Sequence, residues 1–348
     1  MNSYGVAIYP GDGIGKEVCD QAVRVLQHVQ RQEGSFQLQF SWLPWGCDYY
    51  FQHGSVVPDD YLEQLKAFDA IFFGAVGDPG RLADHVTLKP LVKIRQAFNQ
   101  YACVRPAKLL SGVRCPLVNP GEIDFVVVRE NSEGEYASCG GRVKPGPEEV
   151  AVQTAVHTRR GIERVLRYGF ELARTRRKRL TMITKSNALT YSMVLWDDVL
   201  DQVMPEYDEV TTDRQHADAA AMNFVRCPHE FDVVVASNLF GDILTDLAGA
   251  IVGGLGLAPS ANINPERVFP SLFEPVHGSA PDIAGQGIAN PVAAIQSAAM
   301  LLDWLDLKQA AATIRVGVER ALAGGAATPD LGGGLNTVQM TDIILQCM

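Results

Sequence analysis

Residues 232–249 read DVVVASNLFGDILTDLAG. The run at 232–236 is short, continuous and apolar, with three valines in a row, and it predicts a strand buried on both faces. After Ser237 and Asn238 the apolar residues take helical spacing, which predicts a helix over 240–251. A strand feeding a helix is the repeating unit of an α/β protein. The alternation recurs outward in both directions. Strands are expected at 5–10, 70–76, 124–128 and 180–184, and helices at 14–31, 161–174 and 191–203. The pattern implies an α/β fold with a largely parallel sheet. Residues 135–154, rich in Gly and Pro, fit either a protruding arm or a long surface loop.

The same stretch carries two acids, Asp242 and Asp246, spaced i, i+4 and so on one helix face. Two like charges there cost a few tenths of a kcal/mol, which a cation between them turns into affinity. Oxygen-only ligands favour Mg²⁺ or Mn²⁺. The pair follows a buried strand, at the carboxyl end where α/β proteins build sites. On spacing alone, two solvated acids near a helix start remain the alternative. Asp218, in HADA at 216–219, is a candidate third ligand.

Three arginines end predicted elements: Arg95 after a helical stripe, Arg105 before Pro106, and Arg129 after the apolar run 125–128. A guanidinium fork binds carboxylates bidentately and stays charged at any working pH. A dicarboxylate site needs several forks converging, whereas a single arginine is more often a surface ion-pair partner. Lys185 ends the strand at 180–184; a lysine among cations gives up its proton more readily and suits a general base, although a surface lysine after a strand is the ordinary case. PGDGIG at 10–15 stands where a phosphate-binding turn would. Lys16 occupies the place after it, so the third glycine of a Rossmann loop is missing, and a tight turn needing positive φ explains the glycines equally well.

The whole chain sets bounds. With 348 residues it exceeds what one core usually holds, about 250–300 residues, so two lobes are expected. A net charge of -10 disfavours nucleic acid and anionic membrane surfaces as partners. No apolar run reaches the roughly 18 residues of a spanning helix. Residues 1–10 show no basic start or apolar core of a signal peptide, and a cytoplasmic protein is expected. The seven cysteines are scattered without a CxxC pair, as reduced thiols would be. The basic run 174–179, RTRRKR, suits a solvated helix end better than a nucleic-acid patch.

Jointly, these motifs resemble the β-decarboxylating dehydrogenases, the group of isocitrate, isopropylmalate, homoisocitrate and tartrate/D-malate dehydrogenases. The resemblance runs from Gly11 to about Asn290. It is carried by PGDGIG at 10–15, Arg95, VRP at 104–106, RENSEGEY at 129–136, TKSNAL at 184–189, HADAAAM at 216–222, SNLFGDILTDLAG at 237–249 and EPVHGSAPDIAGQGIANP at 274–291. The stretches WGCDYY at 45–50, PSANINPER at 259–267 and SLFE at 271–274 most resemble the tartrate/D-malate branch.

The resemblance implies an isopropylmalate dehydrogenase-like two-lobed fold with a twisted mixed sheet, not a Rossmann fold. Residues 1–99 with 253–348 would form a large cofactor-binding domain, and 100–252 a substrate, metal and dimerisation domain with its arm at about 135–154. Arg95, Arg105 and Arg129 would clamp a malate-like dicarboxylate. Asp242 and Asp246 would hold Mg²⁺ or Mn²⁺, with Asp218 and the base Lys185 supplied across a homodimer, and Tyr136 would return a proton after CO₂ leaves. The cofactor loop would be His277, Gly278, Ser279, Ala280, Asp282 and Ile283, then Asn290. A carboxylate at Asp282 accepts the ribose hydroxyls and repels a 2′-phosphate, so NAD is expected rather than NADP. K⁺ is a further cofactor candidate.

Substrate choice in the group is set just before Arg95. Here that stretch holds Leu88, Lys89 and Pro90, which match neither the tartrate nor the isopropylmalate pattern. Lys89 either faces solvent or meets an extra anionic group of the substrate. The implied activity is NAD-dependent oxidation and decarboxylation of a malate-like 2-hydroxy acid. The alternatives are a 3-isopropylmalate or other 3-substituted malate dehydrogenase, and a catalytically silent nucleotide-binding homologue.

Overall fold

The computed structural model describes residues 2–348. Its strands are β1 (Asn2–Gly11), β2 (Phe36–Trp42), β3 (Ala70–Ala75), β4 (Ala102–Lys108), β5 (Asp124–Glu130), β6 (Gly140–Val143), β7 (Val150–Gln153), β8 (Arg179–Thr184), β9 (Thr211–His216), β10 (Val233–Ala236), β11 (Pro259–Ile263) and β12 (Ser271–Pro275). Ten of them form one sheet in the order β2-β1-β3-β12-β11-β4-β5-β10-β8-β9. The two ends of the sheet pair in parallel, as the apolar runs predict. The centre does not: β12–β11, β11–β4 and β4–β5 are antiparallel. The sheet is therefore mixed, as the resemblance implies, and less parallel than the residue pattern alone suggests. β3 and β10 are buried along their whole length, because helices cover both faces.

The predicted helices are present, with ends set by local chemistry. Helix Gly15–Glu33 buries Val18, Ala22, Val25, Leu26 and Val29 and stops at Gly34, whose φ of 63° suits a residue without Cβ. Helix Arg159–Arg174 starts where the Thr158 hydroxyl accepts the Gly161 N–H at 3.0 Å. Helix Asn238–Ile251 begins earlier than the apolar spacing indicates. Ser237 is still extended, and its carbonyl takes the first helical bond, from the Gly241 N–H at 2.8 Å.

The PGDGIG turn is shut. Gly11 and Gly13 have φ of 69° and 54°. A Cβ would fall 1.9 Å from the Ala75 carbonyl at the first and 2.0 Å from the Ser279 carbonyl at the second. Between them, Asp12 accepts the backbone N–H groups of Cys47 at 2.7 Å and Gly77 at 3.0 Å. The tight-turn explanation of these glycines accounts for what is seen. Residues 135–154 contain the β6–β7 ribbon, exposed on both strands. The basic run is tied down locally. Arg174 pairs with Glu171 and Glu209, and Arg176 with Asp124 and the buried Asp232. All seven cysteines are free thiols. No helix among the described residues is long and apolar enough to cross a membrane.

Candidate active site

An open cleft lies where the ends of β3, β5 and β12 meet helices Asp84–Ala97 and Asn238–Ile251. Leu88, Arg95, Arg105, Arg129, Tyr136, Asp242, His277 and Gly278 all line it. These residues are far apart in the sequence, and the cleft joins them.

The three arginines are buried. A buried guanidinium needs partners, because several kcal/mol are lost when it has none. Arg95, in the last turn of its helix, donates to Glu274 at 2.7 Å. Arg105 on β4 donates to Thr245 at 2.6 Å and to Asp242 at 3.4 Å. Arg129, near the end of β5, gives Nε and Nη2 to the side-chain oxygen of Asn238 at 2.9 and 2.7 Å, and Nη1 to Asp242. The Nε atoms of Arg95 and Arg105 are buried without any partner. Orphaned charged donors lining a cleft fit an anion that completes them.

Asp242 is the hub. It receives Arg105 and Arg129 on one oxygen and the Tyr136 hydroxyl on the other at 2.7 Å. Desolvation, the largest single influence, works to raise its pKa; Arg129, Arg105 and the Tyr136 hydrogen bond together outweigh it and hold the carboxyl below the usual carboxylate range. Tyr136 is shifted upward, by burial first and by its bond to Asp242 second, and so keeps its proton at neutral pH. Asp246 is exposed one turn on along the same helix face. Partial desolvation raises its carboxyl, and the nearby Arg105 opposes that rise.

Two oxygen-donor carboxylates one turn apart suit a hard divalent cation. Among the described residues, however, no three acid, histidine or cysteine side chains gather to hold one within this chain. Asp218 and Lys185 do not line the cleft; they pair with each other at 2.8 Å, the Asp218 side chain being 70% exposed. The hydrogen bond from Lys185 holds Asp218 below its ordinary pKa. The chain alone thus brings two carboxylates to one helix face and leaves a lysine–aspartate pair at its surface.

The cofactor-loop candidates follow β12. The backbone of Ser279 receives the Ile14 N–H at 2.8 Å, so this loop and the glycine turn brace each other. His277 has its Nδ1 against the Gly278 carbonyl at 2.9 Å and its Nε2 buried without a partner, and burial lowers its pKa. Ala280 and Ile283 pack on the core, and Asp282 is exposed. Asn290 is buried, bonding Asp330 at 3.0 Å and capping the Val292 N–H. A Cβ on Gly278 would meet nothing within 4 Å, which leaves its backbone open to a ligand.

Lys89 falls outside the cleft. Leu88, Leu91 and Arg95 share the inner face of their helix, while Lys89 is exposed and lines a separate groove with Val86, Pro90 and Lys93. Adjacent residues on a helix sit about 100° apart, which separates Leu88 from Lys89. Of the two places expected for Lys89, this position corresponds to the solvent-facing one rather than to a contact with the substrate. Three residues that lie inside the quoted motifs without an assigned role are Asn238, Thr245 and Glu274, the acceptors that seat the arginines. Asn238 and Thr245 stand four residues before and three after Asp242, the helical spacing that signals a shared face.

The chain matches the isocitrate/isopropylmalate dehydrogenase family over residues 5–344. It is 53% identical to the D-malate dehydrogenase (decarboxylating) of Escherichia coli (strain K12), the match covering 99% of this chain and 98% of that protein. It is 50% identical to the tartrate dehydrogenase/decarboxylase of Pseudomonas putida, over 97% of this chain and 96% of that one. A crystal structure of isocitrate dehydrogenase from Methylococcus capsulatus superposes with a TM-score of 0.89 at 37% identity, covering 99% of both chains. Sequence and architecture agree: this chain is a member of the isocitrate/isopropylmalate dehydrogenase family and has the isocitrate dehydrogenase-like α/β fold.

Proposed function

We propose that the protein oxidises a malate-like 2-hydroxy acid with NAD and decarboxylates the product; the relatives named above are a decarboxylating D-malate dehydrogenase and a tartrate dehydrogenase/decarboxylase. The observation that carries this reading is the cleft itself, where three buried guanidiniums, two with unpartnered Nε donors, face Asp242 and Tyr136.

In this reading Arg95, Arg105 and Arg129 bind the two carboxylates and fix the C2 hydroxyl near Asp242. Asp242 and Asp246, with Asp218 of the partner subunit, would hold Mg²⁺ or Mn²⁺, which would supply Lewis-acid chemistry. Residues 277–290 would hold NAD, which would supply the hydride acceptor for C2. Lys185 of the partner subunit takes the hydroxyl proton. The C–C bond to the second carboxylate then breaks, its electron pair stays on the substrate as an enolate, and CO₂ leaves. Tyr136, protonated at neutral pH, donates a proton to C3.

The proposal includes a homodimer. Helices Ala217–Arg226 and Asn238–Ile251 leave Met222, Val225 and Ile243 exposed, the last at 61%, beside the surface pair Lys185–Asp218. It also includes the division into lobes 1–99 with 253–348, and 100–252. β2, β1, β3, β12 and β11 fall in the first, β4, β5, β10, β8 and β9 in the second, and the two sets meet only at β11–β4. The exposed carboxylate of Asp282 supports NAD over NADP.

Leu88 and Leu91 line the cleft as apolar neighbours of Arg95, and this favours a second reading, a malate with an apolar C3 substituent such as 3-isopropylmalate. Comparing kcat/KM for D-malate, tartrate and 3-isopropylmalate, each with NAD and with NADP, separates these readings. D-malate or tartrate with NAD is expected to lead. Turnover of none of the three would reject the enzymatic proposal.

A further inference from the structure

Arg129 is the most deeply buried of the three cleft arginines, and β5 fixes only its backbone. Two residues of helix Asn238–Ile251 fix the rest. At Gly241 a Cβ would fall 2.7 Å from both Cβ and Cγ of Arg129, so the arginine stem crosses the helix where only glycine leaves room. Gly241 has ordinary helical backbone, and glycine is a poor helix former; the close approach is what calls for it. At Asn238 the side-chain oxygen accepts both Nε and Nη2 of Arg129, while the side-chain amide donates to the Glu133 carbonyl at 2.8 Å. Asn238 is itself buried.

We infer that Asn238 is the positioning residue for Arg129, with Gly241 as its seat. With two edges of the fork held, Nη1 is left for Asp242 and the anion. The amide is also the right chemical type. It orients the guanidinium without neutralising it, whereas an acid there would cancel the charge a dianion needs. Its other hand ties in Glu133, three residues before Tyr136, so the clamp and the proton donor share one support. The inference rests on the reading of Arg129 as a carboxylate ligand.

The test is a double-mutant cycle on binding of malonate, an unreactive dicarboxylate, followed by calorimetry on the intact protein and requiring no turnover. Asn238→Ala is expected to weaken malonate binding by about tenfold or more, as two buried donors lose their acceptor. NAD affinity should stay within about twofold. In an Arg129→Ala background the Asn238 substitution should have no further effect. Gly241→Ala should reproduce the loss, and Asn238→Ser, which keeps one acceptor, should fall between; it also serves if the alanine variant folds poorly. Equal losses in both backgrounds, or no loss from Asn238→Ala, overturn the assignment. If Arg129→Ala alone leaves malonate binding unchanged, the carboxylate reading of the cleft fails first and this inference with it.

Discussion

Two turns lead from a parallel strand into a helix, each with a glycine that matters, and they serve opposite ends. The turn after β1 holds Gly11 and Gly13 in left-handed backbone, packed so closely on the Ala75 and Ser279 carbonyls that neither position has room for a Cβ. The turn after β10 holds Gly241 in helical backbone, and the space of its missing side chain is filled by the stem of Arg129. The β1 turn has the sequence of a phosphate cradle and is a brace. The β10 turn carries no glycine-rich signature and seats Arg129, the guanidinium we propose as an anion ligand. Glycine content near a strand end therefore says little until the neighbour occupying the missing Cβ is known.

The largest effect should follow at the β10 turn from Asp242→Asn. Removing the charge that faces Arg105, Arg129 and the cation is expected to lower kcat by about 10³-fold with the fold intact, measured at limiting and saturating Mn²⁺. Normal turnover at limiting metal would erase the contrast between the turns. Next is mixing inactive Asp242→Asn and Lys185→Ala chains. If each site takes Lys185 from its partner, random reassociation restores roughly a quarter of wild-type activity, because half the dimers carry one intact site. No recovery would place both residues in one chain's site. Arg129→Lys, which loses the fork but keeps the charge, should raise KM for the dicarboxylate by about 10–100-fold in steady-state assays.

At the β1 turn, Gly13→Ala should leave the chemistry intact and cost about 2 kcal/mol or more of stability in urea unfolding, from left-handed backbone and the contact with Ser279. A stable variant with unaltered cofactor affinity would show that the brace is slack. The smallest effect is expected at Lys89→Gln, on the outer face of its helix. KM should move by less than about twofold, in line with other exposed substitutions; a large rise would return Lys89 to the substrate.

Much of this is legible in the sequence. The valine runs at 126–128 and 233–235 mark central strands because both faces are covered, and the i, i+4 acids do share one helix face. The antiparallel centre is not. β4 contains Pro106 and pairs with β11 more than 150 residues away, so no local periodicity announces it. The place of Lys89 stays open between solvent and substrate in a reading along the chain, because sequence adjacency to Leu88 says nothing about helix face. Asn238 and Thr245 escape notice because uncharged side chains draw it only once the charges they orient are located in space.

Release of CO₂ alongside NADH, followed in one reaction with D-malate, NAD and Mn²⁺, addresses the chemistry of the cleft most directly. One CO₂ per NADH is predicted, with both signals abolished by a chelator and restored by added Mn²⁺. NADH formed at an undiminished rate in the chelator, or no NADH at all, would contradict the proposed chemistry.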